Sequence, residues 1–306
     1  MRVYPDQEAR EIVFACLEHF VGTKRHTHIV EPQYEVSESD SDRVLTAFER
    51  LASGEPLQYV TGKAYFYGRE FRVTSDTLIP RPETELLCRL VVEAAAKPNP
   101  RVLDLCTGSG CIAWTLALEL PKAEVTAVDI SDGALTVASS QDFSGEMART
   151  GASAPTFTKA DILAGPASHK TQQYDIILSN PPYVMDKEKP LMRSNVLDYE
   201  PHLALFVPDA DPLIFYRAVA DWAAELLAPD GFGVVEINEA LGEETAEVFR
   251  TRGFAKAEVV KDLMREVGET AQQFEDSTKA LAVYVLENGK LSKSSSGITL
   301  KSSDLS

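Results

Sequence analysis

The sequence has no run of apolar residues approaching the roughly 18 that a bilayer crossing requires, which argues against a membrane protein. Its N-terminus, Met1 to Arg10, is polar and acidic, so a secretion signal is not expected either. Basic residues are scarce. The 30 Lys and Arg stand against 47 Asp and Glu, a formal charge of −17, and no dense Lys/Arg run offsets it. Such a chain repels the phosphates of duplex DNA or bulk RNA, so DNA is not an expected partner. Cysteine is limited to Cys16, Cys88, Cys106 and Cys111, without a C-x-x-C pair, and three of them sit in apolar text where a thiol packs as a small hydrophobe. Reduced thiols in a cytoplasm are the expectation. His26 and His28 share a polar loop with no third ligand nearby, and no metal is expected.

What is present describes a globular protein of about two domains: 306 residues, 44% hydrophobic and 25% charged. Ile12, Val13, Cys16, Leu17, Phe20 and Val21 recur at the helical period between Asp6 and Val21, and Gly22 stops them. Ser41 and Asp42 stand as N-cap candidates before Val44, Leu45, Phe48 and Leu51, with Gly54 past the end. Residues 1–60 therefore read as a small helical domain. The aromatic, β-branched stretch Tyr65–Val73 around Gly68 predicts a hairpin, and Ile79-Pro-Arg-Pro82 breaks the chain, so residues 61–82 form a junction. From residue 83 to 286, apolar runs at Val102–Leu105, Val125–Val128, Ile176–Leu178 and Val234–Ile237 alternate with helical text. Thr156–Ala160, Val259–Lys261 and Ala280–Leu286 are further strand candidates, the last possible as an antiparallel edge. This alternation predicts an α/β domain with a mostly parallel sheet, and ligands in such folds bind beyond the carboxyl ends of the strands. The Ser- and Lys-rich stretch 287–306 predicts a disordered tail.

Asp104-Leu-Cys-Thr-Gly-Ser-Gly110 follows the first of these strands and opens a helix at Cys111. A glycine-rich turn there admits a ligand close to the backbone, yet it has neither the Gly-x-Gly-x-x-Gly of a dinucleotide fold nor the Gly-Lys-Ser/Thr of a phosphate loop. Asp129 ends the next strand, nineteen residues after Gly110, where a carboxylate can accept from both hydroxyls of a ribose. Asp161 ends the third, in reach of an adenine amino group. Either acid alone would serve as a helix N-cap; in register with Asp104 at successive strand ends they favour a nucleoside pocket. Leu178-Ser-Asn-Pro-Pro-Tyr183 follows the fourth strand. Its two prolines fix the backbone, so the Asn180 oxygen and a neighbouring carbonyl can present paired acceptors to a planar group bearing NH2.

Asp104–Gly110 together with Asn180-Pro-Pro-Tyr183 resembles S-adenosylmethionine-dependent methyltransferases acting on an amide or exocyclic amino nitrogen. Pro56-Leu-Gln-Tyr-Val-Thr-Gly62, Tyr65-Phe-Tyr-Gly68, Thr77-Leu-Ile-Pro-Arg-Pro-Glu-Thr-Glu85 and Tyr199-Glu-Pro-His-Leu-Ala-Leu205 narrow the resemblance to the HemK/PrmC family, over about residues 50–262. That resemblance implies a class I methyltransferase fold, Rossmann-like with a mostly parallel seven-stranded sheet, behind a helical substrate-recognition domain. It implies transfer of a methyl group from S-adenosylmethionine, leaving S-adenosylhomocysteine, to N5 of the glutamine in the Gly-Gly-Gln loop of class I peptide chain release factors, by a cytoplasmic, monomeric enzyme. It assigns the reaction to Asn180, Pro181, Pro182 and Tyr183, the last packing on the planar amide. The cofactor falls to Asp104, Cys106, Thr107, Gly108, Ser109, Gly110, Asp129, Asp161, Ile162 and Asn180. A ribosomal-protein glutamine or an adenine N6 of a nucleic acid would suit the same turn, though the charge weighs against the latter. A non-catalytic binding module is the rival of another class, and intact Asn180 and Asp129 argue against it. Three departures from the family pattern stand out: Cys106 replaces the first glycine of the turn, Asp209-Ala-Asp-Pro212 lacks the usual glycines, and the text drifts after Lys261-Asp-Leu263.

Overall fold

The computed structural model describes residues 4–166 and 172–260, with the strand segments 283–284 and 286–287. Four helices lead. α1 (Asp6–Val21) carries Asp6 and Glu8 in its first turn, where they favour the helix dipole, and ends at Gly22, whose φ of 69° lets its N–H close on the Glu18 carbonyl. α2 (Thr27–Val30) follows within the polar loop. α3 (Glu38–Ala52) starts earlier than Ser41 and Asp42 suggest, because the Ser37 hydroxyl already accepts from the Asp40 amide and caps the helix there. α4 (Leu57–Thr61) closes on Gly62 at φ 71°. Cys16, Ala47, Leu51 and Val60 are the buried centre of this unit, so its apolar stripes pack largely on one another.

β1 (Lys63–Phe66) and β2 (Arg69–Arg72) form the expected antiparallel hairpin, with Tyr67 and Gly68 both at positive φ (51° and 71°) as a two-residue turn demands. The proline stretch has no regular structure until α5 (Thr84–Ala94). Then come β3 (Arg101–Leu105), α6 (Cys111–Glu119), β4 (Glu124–Asp129), α7 (Asp132–Ser139), α8 (Ser144–Thr150), β5 (Thr156–Lys159) and β6 (Tyr174–Ser179). β7 (Val184–Met185), α9 (Ser194–Tyr199), β8 (Phe206–Val207), α10 (Ile214–Leu226), β9 (Leu227–Val235), α11 (Gly242–Thr251), β10 (Val259–Val260), β11 (Val283–Tyr284) and β12 (Leu286–Glu287) complete the described chain. No helix among the described residues is long and apolar enough to cross a membrane.

Among the described residues six strands make the main sheet, in the order β12-β9-β6-β3-β4-β5; all neighbours are parallel except β12, which runs antiparallel to β9. Among the described residues no seventh strand joins it. β12 occupies the free edge of β9, and β10 pairs outside the sheet with β11. Lys261, residues 280–282 and the tail from 288 lie outside the described residues, while Glu287, assigned to the tail by composition, belongs to β12. β9 also begins earlier than its apolar run, at Leu227, and its pairing with β6 slips between Tyr174 and Ile176. Gly231 sits at that irregularity, where a Cβ would stand 2.8 Å from the Asp175 carbonyl oxygen.

Both sheet faces are covered. Leu103, Leu105, Val128 and Ile177 pack on Tyr216, Trp222 and Phe249 of α10 and α11. Val102, Ile176 and Leu178 pack on Leu87 and Val91 of α5 and Leu116 of α6. Strands buried on both faces read as continuous apolar runs, the pattern the sequence displays. The chain runs outward from β3 through β4 to β5, then returns to β6 on the other side of β3. That reversal opens a crevice at the carboxyl end of β3.

Candidate active site

A cleft of about 280 Å³ occupies this crevice. Leu105 pairs with Val128 on one side and Ser179 on the other, so the turn after β3, Asp129 and Asn180 all leave the sheet at one level. Hydrogen bonds fix the turn: Thr107 N–H donates to the Val128 carbonyl at 3.0 Å and Gly110 N–H to the Thr107 carbonyl at 2.9 Å. Cys106, Gly108 and Gly110 all lie at positive φ (61°, 55° and 78°), which strains only the cysteine. Cys106, Thr107, Gly108 and Ser109 line the cleft.

Asp104 and Gly110, expected to bind cofactor, sit behind that wall instead. Gly110 begins α6, and a Cβ on it would meet the Cβ of Ala138 at 3.0 Å. Asp104 is fully buried and accepts the Thr107 hydroxyl at 2.7 Å, so it shapes the turn from within. Burial pushes its carboxyl up to about 7, against the pull of the Thr107 hydroxyl and with a further push from Asp129. Its Oδ1 has no hydrogen-bond partner among the described residues.

Asp129 lines the cleft and accepts from the amides of Gly108 (2.8 Å) and Ser131 (3.0 Å), which locks the carboxylate against the turn. Burial raises its pKa, and these amides work against the rise. Asp161 lines the cleft while capping the short turn at Ile162–Ala164, accepting from Leu163 N–H at 2.9 Å. Ile162 lines it too, and its carbonyl accepts the Trp222 indole N–H at 3.0 Å, tying this wall to α10 in the core.

Asn180 and Pro182 face the cleft; Pro181 and Tyr183 are not among its lining residues. The expected packing of Tyr183 on a substrate amide is corrected by its surroundings. Both Tyr183 and Val184 donate their amides to the Leu205 carbonyl, and the Asn238 side chain donates to the Tyr183 carbonyl at 3.2 Å. This turns the ring inward, where it is 5% exposed and its hydroxyl donates to Glu236 at 2.7 Å.

One whole wall comes from residues outside the glycine turn, the strand-end acids and the Asn-Pro-Pro-Tyr turn. Thr77, Pro80, Arg81 and Thr84 line the cleft, as do Pro201, Leu203 and Ala204. Glu200 joins the two segments: its buried carboxylate accepts from Arg81 Nη2 at 2.6 Å and Ile79 N–H at 3.1 Å. The helical unit is tied on as well, through the Tyr59 hydroxyl to the Thr77 carbonyl (2.6 Å) and the Tyr199 hydroxyl to the Ser53 carbonyl (2.9 Å). Glu236 is a further buried acid beside the site that no motif marks. Its signal is a lone acid inside the apolar text Val234-Val-Glu-Ile237. The departure at Asp209–Pro212 forms a turn outside the cleft lining, with the Asp209 carboxylate accepting from Lys187 N–H at 3.0 Å.

Residues 4–62 match the family model described as the PrmC N-terminal domain, and residues 82–197 that of the methyltransferase small domain. The release factor glutamine methyltransferase of Flavobacterium psychrophilum is 38% identical over 265 residues, 85% of this chain and 90% of that one. The chain belongs to the PrmC/HemK family of release factor glutamine methyltransferases. The release factor glutamine methyltransferases of Bacteroides thetaiotaomicron (45% identical, 70% of this chain and 74% of that one) and Streptococcus pneumoniae (39%, 71% and 75%) extend the similarity. Membership in a methyltransferase family implies S-adenosylmethionine as cofactor. The donor set of this PrmC/HemK chain fits that group. A glycine turn with open space at Gly108 meets a helix start, and two carboxylates at the ends of β4 and β5 can accept from a ribose and an amino group.

Proposed function

We propose that the chain methylates N5 of the glutamine in the Gly-Gly-Gln loop of class I release factors, with Cys106–Ser109, Asp129, Asp161 and Ile162 holding S-adenosylmethionine and Asn180 holding the glutamine. The observation that carries this reading is the meeting of the glycine turn, Asp129 and Asn180 around one cleft at the β3 crevice. When bound, the cofactor supplies an electrophilic methyl on a sulfonium. An amide nitrogen is a poor nucleophile because its lone pair is delocalised, so the chain's contribution is alignment rather than a strong base. Asn180 Oδ1 accepts an amide hydrogen and stabilises positive charge developing on the nitrogen, which gives up one proton to water once the methyl is bonded. Alignment of this kind recovers about 7 to 11 kcal/mol of barrier in favourable cases, enough to carry catalysis without a covalent intermediate. The Thr77–Thr84 wall and Pro201–Ala204 narrow the approach, and the helical unit contributes substrate choice. A test is transfer of labelled methyl to a class I release factor, with duplex DNA and ribosomal protein as controls. Asn180→Ala should abolish transfer while leaving cofactor affinity nearly intact; equal turnover by variant and parent refutes the assignment.

A further inference from the structure

Recognition of an amide by an asparagine depends on which way the asparagine faces. Rotating its side chain by half a turn leaves the shape nearly unchanged and exchanges an acceptor for a donor. To hold a glutamine NH2, Asn180 must present Oδ1; turned over, it would set one NH2 against another. The groups behind the cleft decide between the two. Thr84 Oγ1 lies 2.7 Å from Glu236 Oε2 and 3.2 Å from Asn180 Nδ2. The other oxygen of Glu236 accepts the Tyr183 hydroxyl at 2.7 Å. Thr84 and Glu236 are each 2% exposed, so water does not compete for these bonds.

A hydroxyl has one proton and a carboxylate has none to give, so Thr84 donates to Glu236 and can only accept from Asn180. The amide is then fixed with nitrogen toward Thr84, and Oδ1 is left to accept in the cleft. We infer that Glu236 is a positioning residue for methyl transfer, acting through the Thr84 hydroxyl to hold the Asn180 amide in its acceptor-outward orientation; this rests on the glutamine reading above. Two features reinforce the relay. Glu236 N–H donates to the Ser179 carbonyl at 2.9 Å, which sets the carboxylate in register with the residue before Asn180. Burial, with Glu236 beside it, pushes the Tyr183 phenol well above its ordinary pKa, so that hydroxyl keeps its proton and remains a donor to the carboxylate.

The test compares Glu236→Gln, Thr84→Val and Thr84→Ser in the full-length protein with a release factor as substrate. In Glu236→Gln the new NH2 donates to Thr84, whose proton then turns onto Asn180 and selects the inverted amide. Thr84→Val keeps the shape and removes the hydroxyl. Both should lower kcat roughly 100-fold with the S-adenosylmethionine Kd within about threefold of the parent. Thr84→Ser, which retains the hydroxyl, should stay within about fivefold of the parent kcat. A direct readout is solvent exchange of the Asn180 side-chain NH2, followed by NMR with asparagine-selective 15N labelling: protected in the parent and in Thr84→Ser, unprotected in Thr84→Val. Near-parent kcat in Glu236→Gln and Thr84→Val overturns the inference, as does loss of kcat in all three variants with exchange unchanged. If the parent itself transfers no methyl to a release factor, the substrate reading falls. The exchange pattern then still decides the orientation.

Discussion

The two glycines of the turn after β3 should fail in different ways when given a methyl group. Both stand at positive φ, 55° at Gly108 and 78° at Gly110, so alanine at either costs roughly 1–2 kcal/mol in backbone strain. Beyond that they diverge. A Cβ at Gly108 meets nothing within 4 Å, whereas one at Gly110 meets Ala138 Cβ at 3.0 Å and Trp114 at 3.2 Å. Neither neighbour yields easily, because Ala138 is fully buried on α7 and the Trp114 indole donates to the Ala138 carbonyl at 2.9 Å. Overpacking of this kind adds about 1–3 kcal/mol, giving Gly110→Ala a total of roughly 2–5 kcal/mol. At about 2 °C per kcal/mol for a chain of this size, Tm should fall by about 4–10 °C for Gly110→Ala and 2–4 °C for Gly108→Ala. Affinity should show the opposite order, since the methyl at Gly108 projects into open space beside the cleft. Calorimetric unfolding paired with titration of S-adenosylmethionine reads both quantities. Equal losses of Tm, or a Gly108→Ala variant with unaltered affinity, would refute the assignment of Gly108 to the ligand and Gly110 to helix packing.

Asp129→Ala should weaken S-adenosylmethionine binding before it affects the methyl acceptor; an unchanged dissociation constant removes Asp129 from the ribose site. Asp104 makes stability fall with pH. Its folded pKa of about 7 lies above the ordinary 3.8, so the native state holds the extra proton, and the contribution present below 3.8 is lost as pH rises through 7. Between pH 5 and 8 this amounts to as much as about 3 kcal/mol, which urea unfolding of the parent should reveal and Asp104→Asn should lack. Parallel pH profiles for the two would exclude Asp104 as the source. Trp222→Ala, by opening a cavity beside α10 and releasing the Ile162 carbonyl, should cost about 3–5 kcal/mol and loosen the Ile162 wall; unchanged denaturant midpoint and cofactor affinity would contradict that coupling.

The parallel core was legible because strands buried on both faces write themselves as apolar runs, and Gly22 and Gly68 marked their turns for the same conformational reason. Helix starts were less so: the text points to Ser41 and Asp42, and only the bond from the Asp40 amide to the Ser37 hydroxyl places the cap earlier. The site divided similarly. Cys106–Ser109, Asp129, Asp161 and Asn180 follow directly from strands, where the fold dictates that ligands bind. Thr84 and Arg81 reach the cleft, and the buried Glu200 braces Arg81 from a segment more than a hundred residues away, a separation that no local pattern encodes. Tyr183 differs from its motif for a packing reason. Its place in the Asn-Pro-Pro-Tyr turn suggested a ring facing substrate, but the pairing of the turn with Leu205 rotates that ring into the core beside Glu236.

The most direct test is tandem mass spectrometry of an unmethylated class I release factor after incubation with this protein and S-adenosylmethionine. The account predicts a single added methyl on the side-chain nitrogen of the Gly-Gly-Gln glutamine, absent with Asn180→Ala. A release factor that stays unmodified while DNA or another polypeptide gains the methyl would contradict it.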